Sequence, residues 1–267
     1  MAIPGTVLKQ EGQFKSLSWH GFGLLLVSAG ALCFEVNLTR LFSVSQFYHF
    51  AFMVVSIAVL GFGASGTYLA LRKIKPGRQE MQCLPWLAGG AGISMSAAYL
   101  FVNLVPFDSF QIALNPLQIL LLLLHYAALS IPFFFCGMII SLMLRQHRRF
   151  GGQVYALNLF GSALGCLVAV VLPGWVDGEG VVLLSAVFAL IGGFLFTLGQ
   201  RRHHMGVNQK VLGKAVFLGC SLLVTLFPLS CRLVVGNYPA FFELKLSPYK
   251  GLSYALQPPE AHVTSSR

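Results

Sequence analysis

The sequence predicts an all-α fold: a polytopic transmembrane bundle of about seven helices, with a short soluble stub at the carboxyl end. Three observations predict it. Of 267 residues, 56% are hydrophobic and only 10% are charged, against about 25% charged in an ordinary soluble domain. The apolar residues fall into seven runs, most of them near the roughly 20 residues a spanning helix needs. The charges sit mainly in short clusters between those runs. A soluble protein of this size would expose apolar patches well beyond the few hundred Å² that monomers tolerate. The 28 glycines agree, since glycine is commoner in membrane helices than in soluble ones.

The spans follow in order. The first is expected from Leu17 to about Leu38, the second from about Phe47 to Leu71, and the third from Leu84 to Val105. The fourth lies within Leu114 to Leu144, a stretch without Lys, Arg, Asp or Glu that is long enough to tilt or to kink at Pro132. The fifth is Val154 to about Leu172, the sixth Val181 to Gly199, and the seventh Val211 to Leu229, which carries Lys214. An eighth crossing through Leu233–Phe242 would be too short for a helix. The first run is also too long for a signal peptide and lacks an A-x-A site.

Loop charge then orients the bundle. Arg72, Lys73, Lys75 and Arg78 follow span two, Arg145, Arg148 and Arg149 follow span four, and Arg201, Arg202 and Lys210 follow span six. Asp108 follows span three, and Asp177 with Glu179 follow span five. The positive-inside rule places the basic loops and the amino terminus in the cytoplasm, as expected for a bacterial inner membrane. Three parts result: a cytoplasmic segment over 1–16, a membrane domain over 17–235, and a soluble stub over 236–267. The stub changes character to Pro, Ser, Tyr and Lys, with alternating runs of strand propensity such as Leu252–Leu256.

The net charge of +10 is explained by those loops, so the lipid bilayer is the expected partner and nucleic acid is not. The six cysteines show no C-x-x-C and no metal-ligand spacing. No metal or other cofactor is expected.

Two glycine motifs read as packing devices. Gly61-Phe62-Gly63-Ala64-Ser65-Gly66 matches the dinucleotide-binding pattern. That pattern has meaning only between a strand and a helix of a βαβ unit, and here it lies inside a span. Gly61 is therefore expected at a helix contact, as are Gly161 and Gly165 of a G-x-x-x-G. Gly89, Gly90 and Gly92 read the same way.

Ionisable residues at membrane depth form the candidate polar site: Glu35, Arg40, His49 and His125. Glu35 is expected to find a polar partner in Arg40, His49 or a backbone amide, because an unpaired carboxylate is costly there. On a continuous helix Glu35 and Arg40 lie about 140° apart, so pairing them needs a break near Asn37. An interfacial carboxylate reaching to water is the alternative. His125 reads as a satisfied core residue, and His203-His204 as a solvated charge run. No serine–histidine–acid set, paired carboxylates or phosphate loop is legible, so no catalytic residue is assigned.

Several segments together resemble membrane-fused spermidine synthase-like proteins. They are Glu35-Val36-Asn37-Leu38-Thr39-Arg40-Leu41-Phe42-Ser43, Tyr48-His49-Phe50-Ala51-Phe52, Leu60-Gly61-Phe62-Gly63-Ala64, Pro132 to Gly137, and Tyr155 to Gly165. The resemblance implies a multi-span domain preceding an aminopropyltransferase-like or methyltransferase-like Rossmann domain. Ser247 to Ser253 looks like the entry to that domain. The nucleotide-binding loop and catalytic aspartate of the family would fall beyond Arg267, so none of its catalytic residues is carried over. The expectation is a membrane anchor or partner for a catalytic domain. A transporter or channel binding a cation or proton near Glu35 and His49 is the alternative, and a structural subunit of a membrane complex is a third.

Overall fold

The computed structural model describes the backbone of residues 4–45, 48–72, 78–105, 116–201, 209–235 and 238–239, with side chains for most of them. Seven long helices run through these residues: α1 Pro4–Ser45, α2 Tyr48–Leu71, α3 Arg78–Leu104, α4 Pro116–Gln146, α5 Gly151–Val171, α6 Pro173–Arg201 and α7 Gln209–Val235. A single 3-10 turn, Arg148–Phe150, joins α4 to α5. All seven are long and apolar enough to cross a membrane. Helices are what lipid demands, because each backbone donor and acceptor is satisfied within its own segment.

The expected spans appear in order, with three differences at their ends. Helix α1 starts at Pro4, so the amino-terminal segment continues the first span as helix. Pro132 sits inside α4, which carries on to Gln146. The expected acidic loop between spans five and six is mostly helical: α6 starts at Pro173 and is broken only at Asp177, whose φ of 57° and ψ of 175° are non-helical. The strand expected over 252–256, like nearly all of the stub, lies outside the described residues.

Helices α1 and α6 form the centre. For both, 67% of the apolar stretch is buried, against 22% for α5 and 28% for α7. Around this pair, α5 and α2 lie against α1, α3 and α7 lie against α6, and α4 closes the bundle against α2 and α3. Phe34, Phe133, Phe196, Met95 and Met143 fill the interior.

What brings α1 and α6 so close is a ladder of small residues. A Cβ added to Gly23 would lie 3.0 Å from the Gly192 carbonyl oxygen, and one added to Gly30 would lie 2.7 Å from that of Ser185. Seven residues further along α1, Asn37 Nδ2 donates to the Gly178 carbonyl at 2.7 Å. The partner numbers fall by seven as the α1 numbers rise by seven, so the helices are antiparallel with a heptad seam. Without a hydrophobic drive between helices in lipid, such close approach supplies the dispersion contacts that hold them together.

Helix α5 packs parallel to α1 through Gly161 and Gly165. A Cβ at either would strike the α1 backbone, lying 3.0 Å from the Leu25 Cα or 2.9 Å from the Ala29 Cα. Ser28 Oγ donates to Asn158 Oδ1 at 2.8 Å across the same interface. Gly61 seats α2 on α4, where an added Cβ would lie 2.6 Å from the Ser130 carbonyl oxygen. Its motif neighbours Gly63 and Gly66 have nothing within 4 Å. Of the motif's three glycines only the first makes this α2–α4 contact, which Ser65 continues one turn on against Gly137.

Candidate functional site

The polar groups that matter gather at the two ends of the bundle. At the end carrying the α5–α6 connection, the backbone is irregular at Asp177, and side chains from α1, from α7 and from just past α7 meet carbonyls and a carboxylate there. Asn37 of α1 takes the Gly178 carbonyl. Arg40 of α1 donates through Nη1 to the Ala169 carbonyl at 2.8 Å and more weakly to that of Val170 at 3.4 Å, near the carboxyl end of α5. A cation there meets the negative end of the helix dipole. Arg232 of α7 pairs with Asp177 Oδ2 at 2.8 Å, in a half-exposed geometry whose net worth is small.

Tyr238, just past α7, folds back into this cluster and is buried. Its hydroxyl donates to the Val176 carbonyl at 2.5 Å, and Arg232 lies 5.8 Å from its ring centroid. Burial pushes its phenol up to about 12; Asp177 and Glu179 push the same way, and Arg232 opposes them. Glu179 also acts electrostatically on the buried Tyr99 of α3, which shares a side-chain hydrogen bond with Asn103. None of Asp177, Glu179, Tyr99, Arg232 or Tyr238 was a candidate from sequence. Apolar length places the two carboxylates in a loop, whereas the heptad of small residues in α6 (Gly178, Ser185, Gly192, Gly199) is the sequence feature that joins this segment to the bundle.

Of the sequence-derived candidates, Glu35, Arg40 and His125 are not brought together. Helix α1 runs unbroken through Asn37, so the expected Glu35–Arg40 pair does not form. Arg40 is committed to α5 carbonyls instead, because the α5 end lies level with it. Glu35 is half-buried; among the described residues no hydrogen bond reaches its carboxylate, although the Cys166 thiol of α5 lies within electrostatic reach. His49 belongs to the first turn of α2, and its side chain lies outside the described residues. His125 is buried in α4 with Nδ1 2.8 Å from the Leu121 carbonyl, a contact that places the proton on Nδ1, and with the Phe101 ring 5.3 Å away. It satisfies its own helix, one turn back.

At the opposite, basic end, Lys214 explains how the seventh span tolerates a charge. Its Nζ donates to the Gln82 carbonyl of α3 at 2.7 Å and to Gln200 Oε1 of α6 at 3.0 Å, while Gln200 Nε2 donates to the Met81 carbonyl at 2.6 Å. One buried cation thereby ties three helix ends. At the α4–α5 junction, burial pushes the His147 imidazole below its ordinary range, partly offset by the Met143 carbonyl. Among the described residues no three His, Cys, Asp or Glu side chains converge for a metal ion.

Seven membrane-length helices, with cations anchored on helix ends, define a polytopic integral membrane protein. Comparison with family models, with curated proteins and with solved structures finds no match to this chain.

Proposed function

We propose that the chain is the membrane domain of a spermidine synthase-like protein, serving as anchor or partner for an aminopropyltransferase-like catalytic domain. In this reading it sits in a bacterial inner membrane with its amino terminus and basic loops in the cytoplasm. The observation that carries the anchor role is the use to which the cations at depth are put. Arg40 and Lys214 end on helix carbonyls and Arg232 on Asp177, so each ties helices together. The glycine ladder between α1 and α6 supports the same role, because it brings the central helices to backbone contact. A rigid bundle is what an anchor needs; alternating access needs one part to move against another.

A transporter is the second reading, favoured by the half-buried Glu35 carboxylate, which no hydrogen bond holds among the described residues. Proton and sodium flux into liposomes containing the purified chain separates the two. The anchor reading expects flux equal to protein-free liposomes. Flux above that level that disappears in Glu35→Gln would replace it with the transporter.

A further inference from the structure

We propose that the end of α7 beyond Pro228, together with Tyr238, forms a strap that closes over the break in α6 and opens about Pro228 while the rest of the bundle stays packed. Helix α7 is peripheral: 28% of its apolar stretch is buried, against 67% for α6. Leu223, Val224 and Phe227 are each more than half exposed.

Its two ends are fastened unequally. At the basic end Lys214 is buried, and its Nζ donates to the Gln82 carbonyl of α3 at 2.7 Å and to Gln200 Oε1 of α6 at 3.0 Å. Phe217 and Leu218 seat the next turn on Gly89, and Leu218 also meets Gly193. Withdrawing a buried cation from its acceptors is costly, so this end is fixed. At the other end the fastenings are the partly exposed Arg232–Asp177 pair and a hydrogen bond from the Tyr238 hydroxyl to the Val176 carbonyl. Exposed pairs contribute little, and a neutral hydrogen bond is replaced by water at small net cost.

Between these ends lies Pro228, inside the helix. It has no N–H to offer the Val224 carbonyl, and its ring crowds that oxygen, so α7 yields most easily there.

The strap fits its seat in α6. Asp177, with φ 57°, breaks the helix, and the carbonyl just before it, that of Val176, accepts the Tyr238 hydroxyl. Arg232 holds both sides, pairing with Asp177 and lying 5.8 Å from the centroid of the Tyr238 ring. An added Cβ at Gly180 would strike the Tyr238 hydroxyl, so glycine keeps the seat open. Tyr238 is buried here although it lies beyond the helix. Glu179 acts electrostatically on both Tyr238 and the buried Tyr99 of α3, so opening the strap admits water to polar groups of two further helices. Segments with few buried contacts open in this way without global unfolding. The strap does not depend on the anchor reading; within it, the strap is the stretch of chain leading out of the bundle, and it moves without loosening the anchor.

Hydrogen–deuterium exchange of the detergent-purified chain, read by mass spectrometry, tests the strap. Peptides containing Asp177 and Tyr238 should exchange in step, and faster than those around Phe34 and Lys214. Tyr238→Phe should speed both by about fivefold. Arg232→Asp should speed both as well, and Asp177→Arg/Arg232→Asp should restore the wild-type rates. Pro228→Ala should slow both. Salt at about 1 M should speed both in the wild type by screening the exposed pair, which asks the question without a substitution. A change confined to the Tyr238 peptide would overturn the strap, because the α6 break would then not be its seat. A rise spreading through α1 and α3 would make these contacts a brace of the whole bundle instead. Exchange indifferent to Pro228→Ala would overturn the opening about that residue.

Discussion

Asn37 of α1 donates to the Gly178 carbonyl of α6 at 2.7 Å, one residue beyond the only non-glycine positive φ among the described residues, at Asp177. The break at Asp177 leaves carbonyls such as that of Val176 without helical donors, and just beyond it the third rung of the α1–α6 ladder adds a side-chain donor to the Gly178 carbonyl. The hydrogen bond therefore couples the register of the central pair to the geometry of the α5–α6 connection.

Asn37→Ala should destabilise the folded protein by about 1 kcal/mol, the range found for hydrogen bonds between membrane helices. Thermal unfolding in detergent measures it. An unchanged midpoint would mean that the Gly178 carbonyl finds water at no cost and that the coupling is idle.

Gly61→Ala and Gly63→Ala form a matched pair within one motif. The first places a methyl group 2.6 Å from the Ser130 carbonyl oxygen and should cost about 1–3 kcal/mol. The second enters open space and should be neutral or slightly stabilising. Equal melting temperatures for the two variants would contradict the α2–α4 packing.

Gly165→Leu should cost about 2 kcal/mol or more, because its side chain meets the Ala29 backbone, which cannot move aside without parting α1 from α5. Loss of the Ser28–Asn158 hydrogen bond should accompany it. Chemical denaturation in mixed micelles reads the combined effect, and wild-type stability would refute the contact.

Tyr238 gives a pH-dependent expectation. Its phenol is raised in the folded chain to about 12, chiefly by burial and then by Asp177 and Glu179, against about 10 when unfolded. The folded state therefore holds the proton more tightly. Its contribution is complete below about pH 10 and is lost as pH rises from there towards about 12. Tyr238→Phe should flatten this alkaline decline and also remove the hydrogen bond to Val176. The same alkaline slope in wild type and variant would assign the titration elsewhere.

The chain purified alone should neither transfer an aminopropyl group nor methylate an amine. Such transfer needs a pocket that sets a sulfonium donor against the nucleophile, with a carboxylate to orient it. Among the described residues Glu35 is accompanied by no second carboxylate within the apolar part of α1. An assay with putrescine and decarboxylated S-adenosylmethionine decides the point. Turnover above background that vanishes in Glu35→Gln would make the bundle itself the enzyme.

Much of the fold was legible because lipid imposes a one-dimensional rule. Apolar length alone places a crossing, so seven runs of residues became seven helices in order, and even the charged run around Lys214 proved helical. The Gly161–Gly165 spacing could also be read, since four residues return to the same helix face. Helix ends were less legible. Nothing in the apolar count shows that α1 begins at Pro4 or that Pro173 already belongs to α6.

The site was legible only as a set of costly residues, without their partners. The amino-acid sequence by itself determined that Glu35, Arg40 and Lys214 lie in or beside helices surrounded by hydrocarbon, where each charge is expensive. It did not determine which carbonyls would answer the cations, because that depends on which helix ends lie level after packing. Tertiary structure alone decided that Arg40 meets Ala169 and not Glu35, that Lys214 meets Gln82 and Gln200, and that Asn37 meets Gly178. The physical reason is one of range. Hydrophobic partition acts on each segment separately, whereas a hydrogen bond of about 3 Å requires two helices, distant in sequence, to be in register.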